Sequence, residues 1–173
     1  MVGDIFVEEN GFYRLDCTSA VWATDGLHNI YHSSNIALSD VDFISESEEN
    51  LYLIEYKNAN IPQAANNPTP ITADKNDKLH NKIAQKFYGS IIYIKMLNKT
   101  KPVNYIFIAE YPHADEITRK LLRNKIKRKL PFKLQERAEV ISPLITNFDV
   151  VSIAEWNIKY SAFPLLPKTL SNT

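Results

Sequence analysis

The sequence predicts one α/β domain with a central mixed β-sheet and helices on both of its faces, and three observations lead there. The chain has 173 residues, 45 % of them hydrophobic, a length that suits one buried core and is short for two. Residues 51–57 (Leu-Tyr-Leu-Ile-Glu-Tyr-Lys) and 103–110 (Val-Asn-Tyr-Ile-Phe-Ile-Ala-Glu) are largely apolar on both faces, the signature of strands inside a sheet. The whole chain reads strand, strand, helix, strand, helix, strand, an order that buries a sheet between helices.

Taken in order, residues 1–34 carry the weakest pattern, and a helix is expected around 15–23. Asp40-Val41-Asp42-Phe43-Ile44 begins a strand, and Ser45-Glu46-Ser47-Glu48-Glu49-Asn50 forms a polar connection of hairpin length to the strand at 51–57. Residues 58–77 form a loop dense in Asn and Pro, with Pro62, Pro68 and Pro70. A helix over 77–97 follows, its stripe made by Leu79, Ile83, Phe87, Ile91 and Ile94, with Lys78, Lys82, Gln85 and Lys86 largely off it. Gly89 within it marks a packing contact. After the turn at 99–102 comes the strand at 103–110. The next helix, over 115–129, has Asp115 and Glu116 at its start and bases toward its end, matching the helix dipole, and Pro131 stops it. A last strand over 148–153 has Glu155-Trp156-Asn157 in or just after it. No repeat or heptad seam interrupts this order.

The formal net charge is zero, yet unevenly spread. Of the 20 acids and 20 bases, residues 1–60 hold eleven acids but only Arg14 and Lys57, leaving nine acids against eighteen bases beyond them. Residues 119–133 contain Arg119, Lys120, Arg123, Lys125, Lys127, Arg128, Lys129 and Lys133 with no acid. Such asymmetry suits a polyanion-binding surface beside an acidic site; the competing reading is a solvated helix face. Cys17 is the only cysteine, which excludes an internal disulfide and a thiolate-rich zinc site and is read as a small buried hydrophobe. No apolar stretch approaches the roughly 20 residues of a membrane span, and the acids Asp4, Glu8 and Glu9 are wrong for a secretory signal. A cytoplasmic protein is expected.

The anomaly is the charged end of the second strand. Buried charges are expensive unless paired or coordinating a metal. Glu55 and Lys57, two apart, point to the same face, and a hairpin brings Asp42, thirteen residues earlier, beside Glu55. Two carboxylates and one ammonium at a sheet edge fit metal-assisted phosphodiester hydrolysis, with carboxylate oxygens holding Mg²⁺, Lys57 orienting water and offsetting developing charge, and the Tyr56 main-chain carbonyl adding a neutral ligand. The competing reading of Glu55 and Lys57 is a structural ion pair. Glu-x-Lys alone is common; its position at the end of an apolar strand, with an Asp on the preceding one, makes it informative.

Ser39-Asp40-Val41-Asp42-Phe43-Ile44 and Leu51-Tyr52-Leu53-Ile54-Glu55-Tyr56-Lys57-Asn58 together resemble the PD-(D/E)xK nuclease superfamily, whose fold many restriction endonucleases share. The resemblance covers residues 39–110 well and the rest by element order. It implies a three-layer α/β/α sandwich, Mg²⁺ or Mn²⁺ as cofactor, a nucleic-acid substrate, and a homodimer where both strands of a duplex are cut. Val41 stands where the family often has proline. Asp42 rather than Asp40 takes the metal role, because Phe43-Ile44 follows it as in the family pattern; Asp40 reads as a turn residue. The family's acid on an N-terminal helix has three candidates here, Glu8, Glu9 and Asp25. The family's next helix often faces the site with polar groups, and Gln85 and Lys86 sit suitably for that.

The expected activity is therefore that of a hydrolase, an Mg-dependent deoxyribonuclease acting as an endonuclease. Asp42, Glu55 and Lys57 are its catalytic residues, and Gln85, Lys86, Arg119, Lys120, Arg123, Lys127 and Arg128 hold nucleic acid. The alternative is a catalytically inactive module of the same fold that binds nucleic acid or a protein partner. His28 and His32 have helical metal-ligand spacing but no third ligand nearby in sequence, and the four glycines form no phosphate-binding loop.

Overall fold

The computed structural model describes residues 4–61 and 77–168; most of the Asn- and Pro-rich connection, with Pro62, Pro68 and Pro70, lies outside the described residues. Two short strands come first, β1 (Ile5–Val7) and β2 (Tyr13–Asp16), then β3 (Trp22–Thr24) and helix α1 (Leu27–Ser33). The helix expected at 15–23 is not formed. Asp16 Oδ1 accepts from the Thr18 N–H at 3.0 Å and its hydroxyl at 2.7 Å, a local turn that competes with helix at this point. Leu15, Cys17, Ala20 and Ala23 are buried from strands and turns instead.

β4 (Phe43–Glu46) and β5 (Leu51–Asn58) form the expected hairpin with a shorter connection than expected, since Ser45 and Glu46 belong to the strand. Glu46 is buried because Lys99 and Lys101 both pair with it, the latter at 3.0 Å; partners more than fifty residues away are invisible to local pattern. α2 (Asp77–Met96) and β6 (Val103–Glu110) match their expected spans closely. α3 (Glu116–Lys127) is capped by Asp115, whose side chain accepts from the Thr118 N–H at 2.7 Å, and a single turn, α4 (Phe132–Gln135), starts after Pro131. The last expected strand is cut short. β7 (Asn147–Val151) ends at Ser152, which caps α5 (Ile153–Lys159) through a reciprocal capping box with Glu155. Ile153 and Glu155-Trp156-Asn157 are therefore helical. β8 (Leu165–Pro167) closes the chain.

The main sheet has the order β3-β4-β5-β6-β7, antiparallel from β3 to β5 and parallel from β5 to β7. Period-two alternation on β5 divides its side chains between two apolar clusters. Leu51 and Leu53 join residues of α1, α2 and α3, whereas Ile54 and Tyr56 join Phe6, Leu15, Trp156 and Leu165. Helices thus contribute to both clusters, but the second is built mainly on a small antiparallel sheet, β1-β2-β8, with α5. Each fully buried Leu, Ile or Phe contributes roughly 1.5–3 kcal/mol; of the expected α2 stripe Ile83, Phe87, Ile91 and Ile94 are buried and Leu79 is partly buried. No described helix is long and apolar enough to cross a membrane.

Candidate functional site

The hairpin register places the two carboxylates. Phe43 pairs with Ile54 and Ile44 with Leu53, so Asp42, one residue before β4, falls opposite Glu55. Asp42 Oδ2 accepts from the Tyr56 N–H at 2.7 Å, extending the ladder by a side chain. The N–H and C=O of one strand residue leave on the same side, so the Tyr56 carbonyl is also directed toward the β4 side. The segment before Asp42 is seated on α2: the Val41 N–H donates to Ser90 Oγ at 3.0 Å, and the Tyr31 hydroxyl donates to the Gly89 carbonyl at 2.6 Å.

Glu55 is 5 % exposed. Its partner is Lys86, on the flank of the α2 stripe, whose Nζ lies 2.7 and 2.8 Å from the two Glu55 oxygens and 3.4 Å from Asp42 Oδ1. One ammonium therefore bridges both carboxylates. Burial, then the Asp42 charge, pushes Glu55 up to about 8, against the pull of Lys86 and Lys82. Burial also raises Asp42, with Asp40 adding to it, while Lys86 and the Tyr56 N–H act the other way. Burial alone would lower Lys86, but the two carboxylates outweigh it and raise it above its ordinary value.

These groups line a cavity of about 840 Å³, together with Lys57 and Lys82. Lys57 is exposed and has no ion-pair partner among the described residues. Lys82, which the sequence leaves off the apolar stripe, stands one helical turn before Lys86 on the cavity wall. Glu8, Glu9 and Asp25 all line the same cavity, and their surroundings separate them. Glu8 is buried and accepts from the N–H groups of Asn10, Phe12 and Tyr13 at 2.8, 2.6 and 3.2 Å, holding the β1–β2 turn. Glu9 is exposed on that turn, and Asp25 is exposed immediately ahead of α1. Asp40 accepts from or pairs with His28 Nδ1 at 3.3 Å; His28 and His32 stand a turn apart on α1 with ring centroids 6.5 Å apart.

The basic helix is elsewhere. α3 lies against β7, at the sheet edge opposite β3. Arg119 bonds Glu155 at 2.9 Å and the Ala114 carbonyl at 2.6 Å, Lys120 pairs with Glu116 at 2.6 Å, Arg123 approaches Asp149 at 3.8 Å, and Lys127 sits over the Phe132 ring. Arg128 lines a second, smaller cavity with Lys125, Lys129, Asp77 and His80. Gln85 is exposed and outside the carboxylate cavity. Of the residues expected to meet nucleic acid, Lys86 is the one the fold brings to Asp42 and Glu55.

Among the described residues no three or more His, Cys, Asp or Glu side chains form a group that could hold a metal ion between them. The chain offers a divalent ion two carboxylates and a main-chain carbonyl. That set suits Mg²⁺, which takes one or two carboxylates and completes its shell with water and phosphate oxygens. No family model, curated protein or solved structure matches the chain, so a functional reading rests on this geometry and on the motif.

Proposed function

We propose that this protein is a metal-dependent nuclease of the PD-(D/E)xK kind, built on a three-layer α/β/α sandwich and hydrolysing phosphodiester bonds of DNA. The observation carrying this reading is the register that sets Asp42 opposite Glu55 with Lys57 at the same cavity. Bound Mg²⁺ or Mn²⁺ supplies Lewis-acid polarisation of a phosphoryl oxygen and a water of lowered pKa. Asp42 and Glu55 hold the ion, aided by the Tyr56 carbonyl. Lys57, exposed at the same cavity, orients the attacking water and offsets charge on the phosphorane-like transition state. Lys82 contacts a backbone phosphate, a contact that positions the strand without reading its sequence.

The test is incubation of circular, linear and branched DNA with the protein in Mg²⁺ or Mn²⁺, against EDTA. Metal-dependent cutting supports the reading, and its absence with every substrate sinks it. A second reading, an inactive nuclease-fold module, is favoured by one observation: Lys86 already engages both carboxylates. A protein that binds DNA but neither binds Mn²⁺ nor cuts would be that module.

A further inference from the structure

Lys86 stands where a divalent cation would find its carboxylates. Its Nζ meets both oxygens of Glu55 and Oδ1 of Asp42, and its side chain is only 17 % exposed. Lone pairs committed to an ammonium are not open to a metal, and a dication and an ammonium at contact distance repel strongly in a partly buried site. Asp42 has a second anchor besides Lys86, the Tyr56 N–H, and Glu55 is carried by a backbone position inside the sheet between β4 and β6. The lysine hangs from α2 on a flexible four-carbon stem beside a cavity already lined by Lys57 and Lys82.

Resting on the nuclease reading, we infer that Lys86 is a resident counter-ion that exchanges with the divalent cation. In the metal-free protein it bridges the Asp42 and Glu55 side chains. On metal loading its ammonium leaves them, turns into the cavity and joins Lys82 in facing a phosphate. Metal and polyanion binding are then coupled, each favouring the other, because the ion that occupies the carboxylates releases a cation for the strand.

The wild-type protein is labelled with an amine-acetylating reagent in EDTA and in Mn²⁺, and the modified lysines are read by peptide mass spectrometry. Lys86 is expected to react several-fold faster in Mn²⁺, while Lys99, paired with Glu46, keeps its rate. Calorimetry of Mn²⁺ binding to Lys86→Met should show affinity tighter than wild type by roughly tenfold, within the usual range of site coupling. Unchanged Lys86 labelling when calorimetry shows Mn²⁺ bound overturns the exchange and leaves the nuclease reading standing. Weaker Mn²⁺ binding in a folded Lys86→Met also overturns it, since the lysine would then support the ion. Absence of Mn²⁺ binding in both proteins removes the exchange and the metal-dependent reading together. If Lys86→Met does not fold, the wild-type labelling alone decides.

Discussion

Gly89 of α2 and Ser39 of the chain entering β4 touch backbone to backbone: a Cβ built on Gly89 would lie 1.9 Å from the Ser39 carbonyl oxygen. Glycine here is a matter of close approach, and the approach fixes where the next three residues, ending in Asp42, run over the helix. In an open helix Gly→Ala stabilises by roughly 0.5–1 kcal/mol; forcing an atom into a full contact costs about 1–3 kcal/mol. Gly89→Ala is therefore expected to be net destabilising in urea unfolding and to weaken Mn²⁺ binding by displacing Asp42. A variant more stable than wild type would show that the contact is dispensable.

The acidic pair predicts a pH dependence. Glu55 has an ordinary value of 4.5 and is pushed up to about 8 in the folded protein, so between these values the folded state holds the proton that the unfolded state has lost. Stability of the metal-free protein then falls as pH rises through that window, and the raised Asp42 acts in the same sense. Metal affinity changes the opposite way, rising toward pH 8, because the ligand must be ionised. Chemical denaturation in EDTA across pH 5 to about 9 should show the slope, and Glu55→Gln should flatten it.

Glu8 and Asp25 share the cavity and part in their roles. Glu8→Ala strips acceptors from three backbone N–H groups of the β1–β2 turn, and loss of such charge-assisted bonds should cost roughly 3 kcal/mol. Asp25→Ala removes an exposed carboxylate and should leave the melting temperature unchanged. Equal loss of stability in the two variants would refute the division.

Lys57→Ala should abolish cleavage and leave both folding and DNA affinity largely intact, since the side chain is exposed. Lys82→Ala should weaken DNA binding evenly across sequences and reduce the salt slope of log affinity by about 1. A fully active Lys57→Ala protein would end the proposed mechanism.

Arg119, expected from the sequence to hold nucleic acid, ties α3 to α5 through Glu155 and to the Ala114 carbonyl. Arg119→Ala should destabilise the fold, by roughly 1–3 kcal/mol for a hydrogen-bonded, partly buried pair, with no change in the salt dependence of DNA binding. A lowered salt slope at wild-type stability would return this residue to the DNA surface.

The parts legible in the sequence were those whose cause is local. β5, α2 and β6 were readable because a run apolar on both faces needs burial on both, and a 3.6-residue stripe needs one apolar neighbour; neither depends on what the neighbour is. The Asp42–Glu55 pairing was readable too, because a hairpin register follows from strand length and turn length. The α5 start was legible in Ser152-x-x-Glu155, a capping box whose signal a strand-like Val150-Val151 obscured.

Tertiary structure decided the rest because the determining partners are remote in sequence. β1, β2 and β8 are three or four residues each, too short for periodicity, and exist because chain ends more than 140 residues apart pair across the second apolar cluster. Helical periodicity put Lys82 and Lys86 off the stripe without saying whether that flank met solvent or a cavity. Only the packing of α2 across β5 turned Lys86 from a surface charge into the bridge between Asp42 and Glu55. The amino-acid sequence by itself determined which residue types can do the chemistry; the distance between an ammonium and two carboxylates depends on how a helix and a hairpin pack, and that was the fold's to set.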